Sequence, residues 1–198
     1  MPDVLICPDF VSPAASLPCK RITVIYDAFF WQMPQNYPAW WRTYFLGLIN
    51  KGLREKTEIV TITEYSKLSL QKHLNHKHPI SIIYPISKAM LESVAESYLD
   101  ELGVERGKYF LHVGTFDVRK NLRVLVRAFH EFLLQTQADF KLVLAGGKGQ
   151  SAQMNEWPLV LELIEELGIS DQVVLPGYVT DAQVKTLYEG AFSYCFPS

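Results

Sequence analysis

Arg119, Lys120 and Asn121 close the run 109–121 (YFLHVGTFDVRKN), two cations and an amide set directly before an amphipathic stretch. Residues 109–113 are apolar apart from His112 and carry no helical period, so they read as a short buried strand that Gly114 ends. From Leu122 the apolar positions fall at 122, 125, 126, 129, 132 and 133, one face of a helix expected over 121–135. Arg119, Lys120 and Asn121 therefore sit on or just before a first helical turn, at the carboxyl end of a strand. Free backbone N–H groups and the positive end of the helix dipole make that an anion site. Two readings stand side by side: solvated surface charges, or cations that meet a ligand more negative than themselves. A cation at a helix N-terminus costs about 0.3–1 kcal/mol against the dipole, and a sequence that accepts this favours the second.

Two further turns follow the same logic. Gly146-Gly147-Lys148-Gly149 comes after an apolar run at 140–145, and glycines let a backbone approach a ligand closely. Its spacing matches neither the GxxxxGK[ST] phosphate loop nor GxGxxG. Pro176-Gly177-Tyr178-Val179 follows a strand expected over 172–175, and is either a rigid turn or a display of peptide groups to the edge of a base.

The elements that must hold these turns alternate. Strands are expected over 3–7, 21–25, 58–63, 80–84, 109–113, 140–145, 172–175 and 192–196. Helices are expected over 38–52, 64–74, 87–102, 121–135, 156–167 and 181–190, with an aromatic loop at 29–41. Such alternation predicts an α/β chain built on parallel sheets with helices on both faces, whose ligands bind beyond the carboxyl ends of the strands. A boundary is expected between Pro85 and Lys108, giving 1–85, a linker helix at 86–107, and 108–198.

Composition narrows the class. The 198 residues are 48% hydrophobic and 20% charged with a net charge of −2, which argues against nucleic-acid binding through bulk charge. Cys7, Cys19 and Cys195 are far apart and form no metal-ligand pattern, as in a reduced cytoplasmic chain. No apolar run approaches the roughly 18 residues of a membrane span.

With these residues in view, 109–198 resembles the donor-binding half of GT-B fold retaining glycosyltransferases of the group 1, family 4 type. The runs that carry the likeness are FLHVGTFDVRKNLRVLVRAF, KLVLAGGKG and LIEELGISDQVVLPGYVTDAQVKTLYEGAFSYCFPS. Residues 1–85 resemble, more loosely, the later part of the same family's acceptor-side domain. The resemblance implies two incomplete Rossmann-like domains. It also implies transfer of a sugar from a UDP- or GDP-linked donor to a carbohydrate or lipid-linked acceptor, in glycan or polysaccharide biosynthesis, without metal or other cofactor. Arg119 and Lys120 would stabilise the leaving diphosphate. Gly114, Thr115, Asn121, Gly146, Gly147, Tyr178, Val179 and Leu187 would surround the donor: Gly114 and Thr115 at the phosphates, Tyr178 and Val179 at the base, Leu187 near the ribose. Asp27 stands where relatives often carry His-Asp, and is either an acceptor-side carboxylate or a structural one.

The chain departs from the family pattern in two places. It begins after several expected N-terminal strands, and it stops before a glutamate motif that grips the donor ribose. It therefore reads as a fragment whose open sheet edges invite self-association. The alternative to an active transferase is a non-catalytic module that binds nucleotide weakly or a protein partner. The expected location is cytoplasmic, with peripheral contact at the inner face of the membrane left open by the aromatic loop.

Overall fold

The computed structural model describes residues 2–53, 57–74, 78–86, 97–148 and 155–198. The chain divides into two units, residues 1–87 and 88–198.

In the first unit, β1 (Val4–Cys7), β2 (Lys20–Val24), β3 (Thr57–Thr61) and β4 (Ile80–Ile82) form a parallel sheet in sequence order. Parallel neighbours need crossovers, and α2 (Ala39–Gly52) and α3 (Glu64–His73) supply two of them. Ile49 of α2 and Leu70 of α3 are fully buried with Ile25 and Ile59, because apolar side chains on one face of each helix meet the β-branched face of the sheet. Thr63 starts α3 by accepting the Ser66 N–H at 3.0 Å. The C-terminal end of α2 is closed by two groups from β2 and the loop before it. The Gly52 carbonyl accepts the Ser12 hydroxyl at 2.7 Å and the buried Arg21 guanidinium at 3.5 Å, a cation at the negative end of a helix dipole.

The stretch expected to be an aromatic loop holds a short helix, α1 (Phe29–Gln32), and a 3-10 turn at Pro34–Asn36. Asp27 prepares α1, since its Oδ1 accepts the Phe29 N–H at 3.0 Å. The aromatic rings then pack on one another: Phe30 lies 4.7 Å from Phe45, 4.9 Å from Tyr37 and 5.6 Å from Trp41, centroid to centroid. Helix formation and ring packing outweigh the loop signal of two prolines. β1 is an edge strand, and its Val4 and Ile6 are exposed.

Among the described residues the second unit holds α4 (Ser97–Glu101), β5 (Tyr109–Val113), α5 (Leu122–Thr136), β6 (Lys141–Ala145), α6 (Trp157–Glu166), β7 (Val173–Gly177), α7 (Asp181–Gly190) and β8 (Ser193–Tyr194), in that order. All strands are parallel, in the order β7-β6-β5-β8. β6 shows why both faces need cover. Leu142 and Leu144 enter the core under α5 and α6, whereas Val143 and Ala145 enter the one under α4 and α7. Of the expected linker helix, residues 87–96 lie outside the described residues. Its described part packs Leu99 and Val104 into the second unit's core.

β3 and β4 each stop two residues short of expectation, and in the second unit β7 and β8 differ from it as well. β7 runs on through Pro176 to Gly177, which pairs with Ala145 after a register shift. Proline is tolerated there because β7 is an edge strand. β8 pairs with β5 only at Ser193 and Tyr194, although 192–196 was expected to be strand.

Gly190 has no room for a side chain, since a Cβ there would stand 2.6 Å from the Tyr109 hydroxyl and 2.9 Å from Leu99 Cδ1. Gly190→Ala should destabilise the second unit by about 1–3 kcal/mol, the usual range for overpacking. Gly47 in α2 has nothing within 4 Å of its Cβ position. Gly47→Ala should be neutral or stabilise by up to about 1 kcal/mol through helix propensity. Urea unfolding of both variants checks the contrast.

Candidate functional site

Strand order identifies where a ligand can sit. β5, β6 and β7 step outward in one direction, then α7 carries the chain back to place β8 on the other side of β5. The strand order thus reverses between β5 and β8, and open α/β sheets bind ligands at the carboxyl ends of the strands where the order reverses.

The three glycine turns meet on this rim because the sheet ladder continues past the strands. The Gly114 N–H donates to the Ala145 carbonyl at 2.9 Å, and the Gly146 N–H donates to the Gly177 carbonyl at 2.8 Å. Gly146 has φ 147°, and a Cβ there would collide with the Gly114 carbonyl. Only glycine satisfies both conditions. The Phe116 N–H donates to the Gly147 carbonyl at 3.0 Å, and Phe116 is fully buried against Trp157. Gly147 itself is open on its Cβ side. Thr115 is exposed at the turn.

The cations stand just before the helix, one of the two places that the sequence allowed. Val118–Lys120 is a 3-10 turn, and Asn121 joins it to α5 in the left-handed conformation, φ 54° and ψ 39°. Asparagine tolerates this region better than most residues, and its side chain makes no cap bond to α5. Arg119 and Lys120 thus precede the first turn of α5. Asp117, which sequence reasoning passed over, organises the turn. Its Oδ1 accepts the Arg119 backbone N–H at 3.0 Å and the Arg119 Nε at 3.1 Å. A carboxylate two residues before an Arg-Lys pair was the available signal.

This changes the roles of the two cations. The Arg119 charge is offset by Asp117, and Arg123 in the first turn of α5 is offset by the buried Glu156 at 3.0 Å. Lys120 makes no ion pair among the described residues, and its Nζ lies 4.6 Å above the Phe196 ring. Of the cations around this helix start, Lys120 is the one left to attract an anion. Arg119 belongs first to the turn rather than to the ligand.

Other expected contacts are distributed unevenly. Tyr178 is 86% exposed just past the last paired position of β7, whereas Val179 points into the core. Leu187 is fully buried with Tyr109 and Val143, and its carbonyl accepts the Tyr109 hydroxyl at 2.7 Å. The expected ribose contact at Leu187 gives way to core packing, because an apolar residue on the inner face of α7 is buried by the sheet. Asp27 lies in the other unit as the carboxylate that starts α1. Gly149 of the second turn lies outside the described residues.

Sequence reading also missed the contribution of β8. His112, at the end of β5, has no exposed surface, and its Nδ1 lies 2.9 Å from the Cys195 carbonyl. Its ring runs nearly parallel to those of Tyr194 and Phe196. Burial holds the imidazole pKa below the ordinary 6.5, opposed by the Cys195 hydrogen bond and helped by a lesser push from the Lys120 charge. Burial pushes the Tyr194 phenol up to about 12. Among the described residues no group of three or more His, Cys, Asp or Glu side chains is placed to hold a metal.

The Gly146 geometry gives a direct test. Gly146→Ala forces a side chain into a conformation and a space that both exclude it, so the second unit should lose about 1–3 kcal/mol. Hydrogen exchange at the Gly114 N–H should lose protection. An unchanged melting temperature with an unchanged Gly114 exchange rate would contradict the rim described above.

The comparisons with known proteins agree with this architecture. The chain is 24% identical to O-antigen chain mannosyltransferase B of Escherichia coli over 188 residues, covering 90% of this chain and 47% of that protein. It superposes on WaaG, a glycosyltransferase involved in lipopolysaccharide biosynthesis, with a TM-score of 0.73 at 15% identity, covering 100% of this chain and 54% of that one. The Anabaena protein HepE in complex with UDP-glucose gives a TM-score of 0.71 at 16% identity, covering 91% and 47%. At such identities the structural matches speak for the fold, a GT-B α/β architecture of two parallel sheets with helices. The chain spans about half the length of these relatives. The family of glycosyl transferases group 1 matches residues 96–198, just over half of the chain and nearly all of the second unit, and the protein belongs to that family.

Proposed function

We propose that the second unit binds the diphosphate of a nucleotide sugar, and that the protein serves a retaining transfer of a hexose from a UDP- or GDP-linked donor to a carbohydrate or lipid-linked acceptor. The observation that carries this is Lys120. Among the described residues it is a cation without a carboxylate partner, at the start of α5, beside a rim whose Gly114 and Gly147 turns admit a ligand to the backbone. A diphosphate leaving group gains negative charge as the glycosidic bond breaks. Fixed positive charge at that point lowers the barrier, usually the largest catalytic contribution. The ammonium of Lys120 and the first N–H groups of α5 would supply it without a metal. Tyr178 and its neighbouring peptide groups, beyond the paired part of β7, would receive the base.

Two relatives support the class of substrate: one bears the name of an O-antigen mannosyltransferase, and another was crystallised with UDP-glucose. The reading puts the protein in the cytoplasm, in glycan or polysaccharide assembly. No helix among the described residues is long and apolar enough to cross a membrane. Contact with a membrane-borne acceptor would be peripheral, with the exposed Trp40 and Tyr44 of α2 as the residues to meet it.

Calorimetry with UDP-glucose and GDP-mannose tests the assignment. Lys120→Ala should weaken binding of whichever donor is preferred by about 1.5–3 kcal/mol, the worth of a charged hydrogen bond. Arg119→Ala should weaken it less, because its guanidinium is already engaged by Asp117. Chelation with EDTA should leave binding unchanged. Equal affinity in wild type and Lys120→Ala removes the assignment. Binding that depends on Lys120 without sugar transfer to any acceptor identifies a nucleotide-binding module instead of a complete transferase.

A further inference from the structure

His112 is a buried polar group that the proposed donor site has not used. It is the last residue but one of β5, under the Gly114 turn, and a Cβ on Gly114 would lie 3.2 Å from its Nε2, with only Nε2 and Cε1 of that ring within 4 Å. The absent side chain at position 114 therefore leaves the imidazole as the floor of the turn. The state of the ring follows from its other nitrogen. A carbonyl oxygen only accepts, so the Nδ1 that meets the Cys195 carbonyl at 2.9 Å carries a hydrogen. In the neutral ring Nε2 is then a bare lone pair, and among the described residues it is buried without a hydrogen-bond partner. A buried acceptor with no donor is a cost that most proteins avoid.

The groups around the ring explain why it remains neutral in the free protein. From the 3-10 turn comes the Lys120 ammonium, which repels a second cation. From β8 and the residue after it come the Tyr194 phenol and the Cys195 thiol, both held protonated by burial, and from α7 comes Tyr188 against Tyr194. None of these is an anion near neutral pH. A ligand diphosphate beside Lys120 reverses the balance, since it brings negative charge to a site where the carboxylates of Asp117 and Glu156 are already paired with Arg119 and Arg123.

We propose that His112 is a proton-coupled positioning residue of the donor site: as a diphosphate docks on the rim, Nε2 takes up a proton from solvent, and the buried imidazolium fixes the anion from beneath the Gly114 turn. The proton adds to the Nε2 lone pair, and Nδ1 keeps its hydrogen bond to Cys195. Lys120 attracts the anion from the side, and His112 registers its arrival from below. The inference rests on the donor-site reading and adds a proton to it. Binding should tighten as pH falls, by up to tenfold per pH unit where one proton is taken up.

The test is calorimetry of UDP-glucose and GDP-mannose binding near neutral pH, in two buffers with different ionisation enthalpies. Neither ligand has a phosphate that titrates in this range, so any proton taken up comes to the protein. Wild type should take up a substantial fraction of one proton. His112→Asn keeps an amide N–H near the Nδ1 position for Cys195 and removes Nε2, so it should bind with no uptake and a flat pH profile. Ring 15N chemical shifts of His112 in the wild type, with and without ligand, read Nε2 protonation without relying on the variant's folding. Binding with no proton uptake, equal uptake in His112→Asn, or an unchanged 15N signal overturns the inference and leaves the donor site standing. No binding of either nucleotide sugar overturns the donor-site reading and this inference with it.

Discussion

The second unit depends on one close approach of backbone to backbone, Gly146 against the Gly114 carbonyl. Parallel strands normally part company at their carboxyl ends, because each chain turns away into its own crossover. Here the ladder persists for one more residue on each strand. Ala145 receives the Gly114 N–H, and Gly177 receives the Gly146 N–H. Three turns that lie far apart in sequence are thereby tied into one rim, and every group argued to meet a ligand is referred to it. The cost is a conformation at Gly146 that no other residue adopts comfortably.

Charge around this rim is arranged by subtraction. Arg119, Lys120 and Arg123 all stand at the start of α5, where a helix dipole disfavours cations. Asp117 and Glu156, both nearly buried, take up two of them. Such pairs are short and partly desolvated, so they hold the turn and the helix start in place more firmly than exposed pairs do. Of these three, the Lys120 ammonium remains, above the Phe196 ring.

The first unit is organised differently. Among the described residues its sheet runs in sequence order, without the reversal seen between β5 and β8. Its Asp27 is committed to the start of α1, and Phe30, Tyr37, Trp41 and Phe45 pack on one another. The family match lies on the second unit, which is also the one whose sheet reverses direction.

Local chemistry was enough to determine the strands and helices of the second unit. The run 109–113 and the apolar positions from Leu122 to Leu133 can satisfy their burial only as a strand and a one-faced helix. The glycines and the Lys120 cation were legible for the same reason, since close approach and anion attraction are properties of single residues. Tertiary structure alone decided three other matters. It set β8 beside β5, which brought Tyr194, Cys195 and Phe196 against His112 and Lys120 across about eighty residues of chain. It gave Arg119 to Asp117 and Leu187 to the core, because a carboxylate's partner and a helix's buried face depend on what packs nearby. It also turned a loop of aromatic residues into a helix and a packed cluster. Periodicity reports what one segment can bury by itself, but pairing, neutralisation and enclosure belong to the neighbours that the fold supplies.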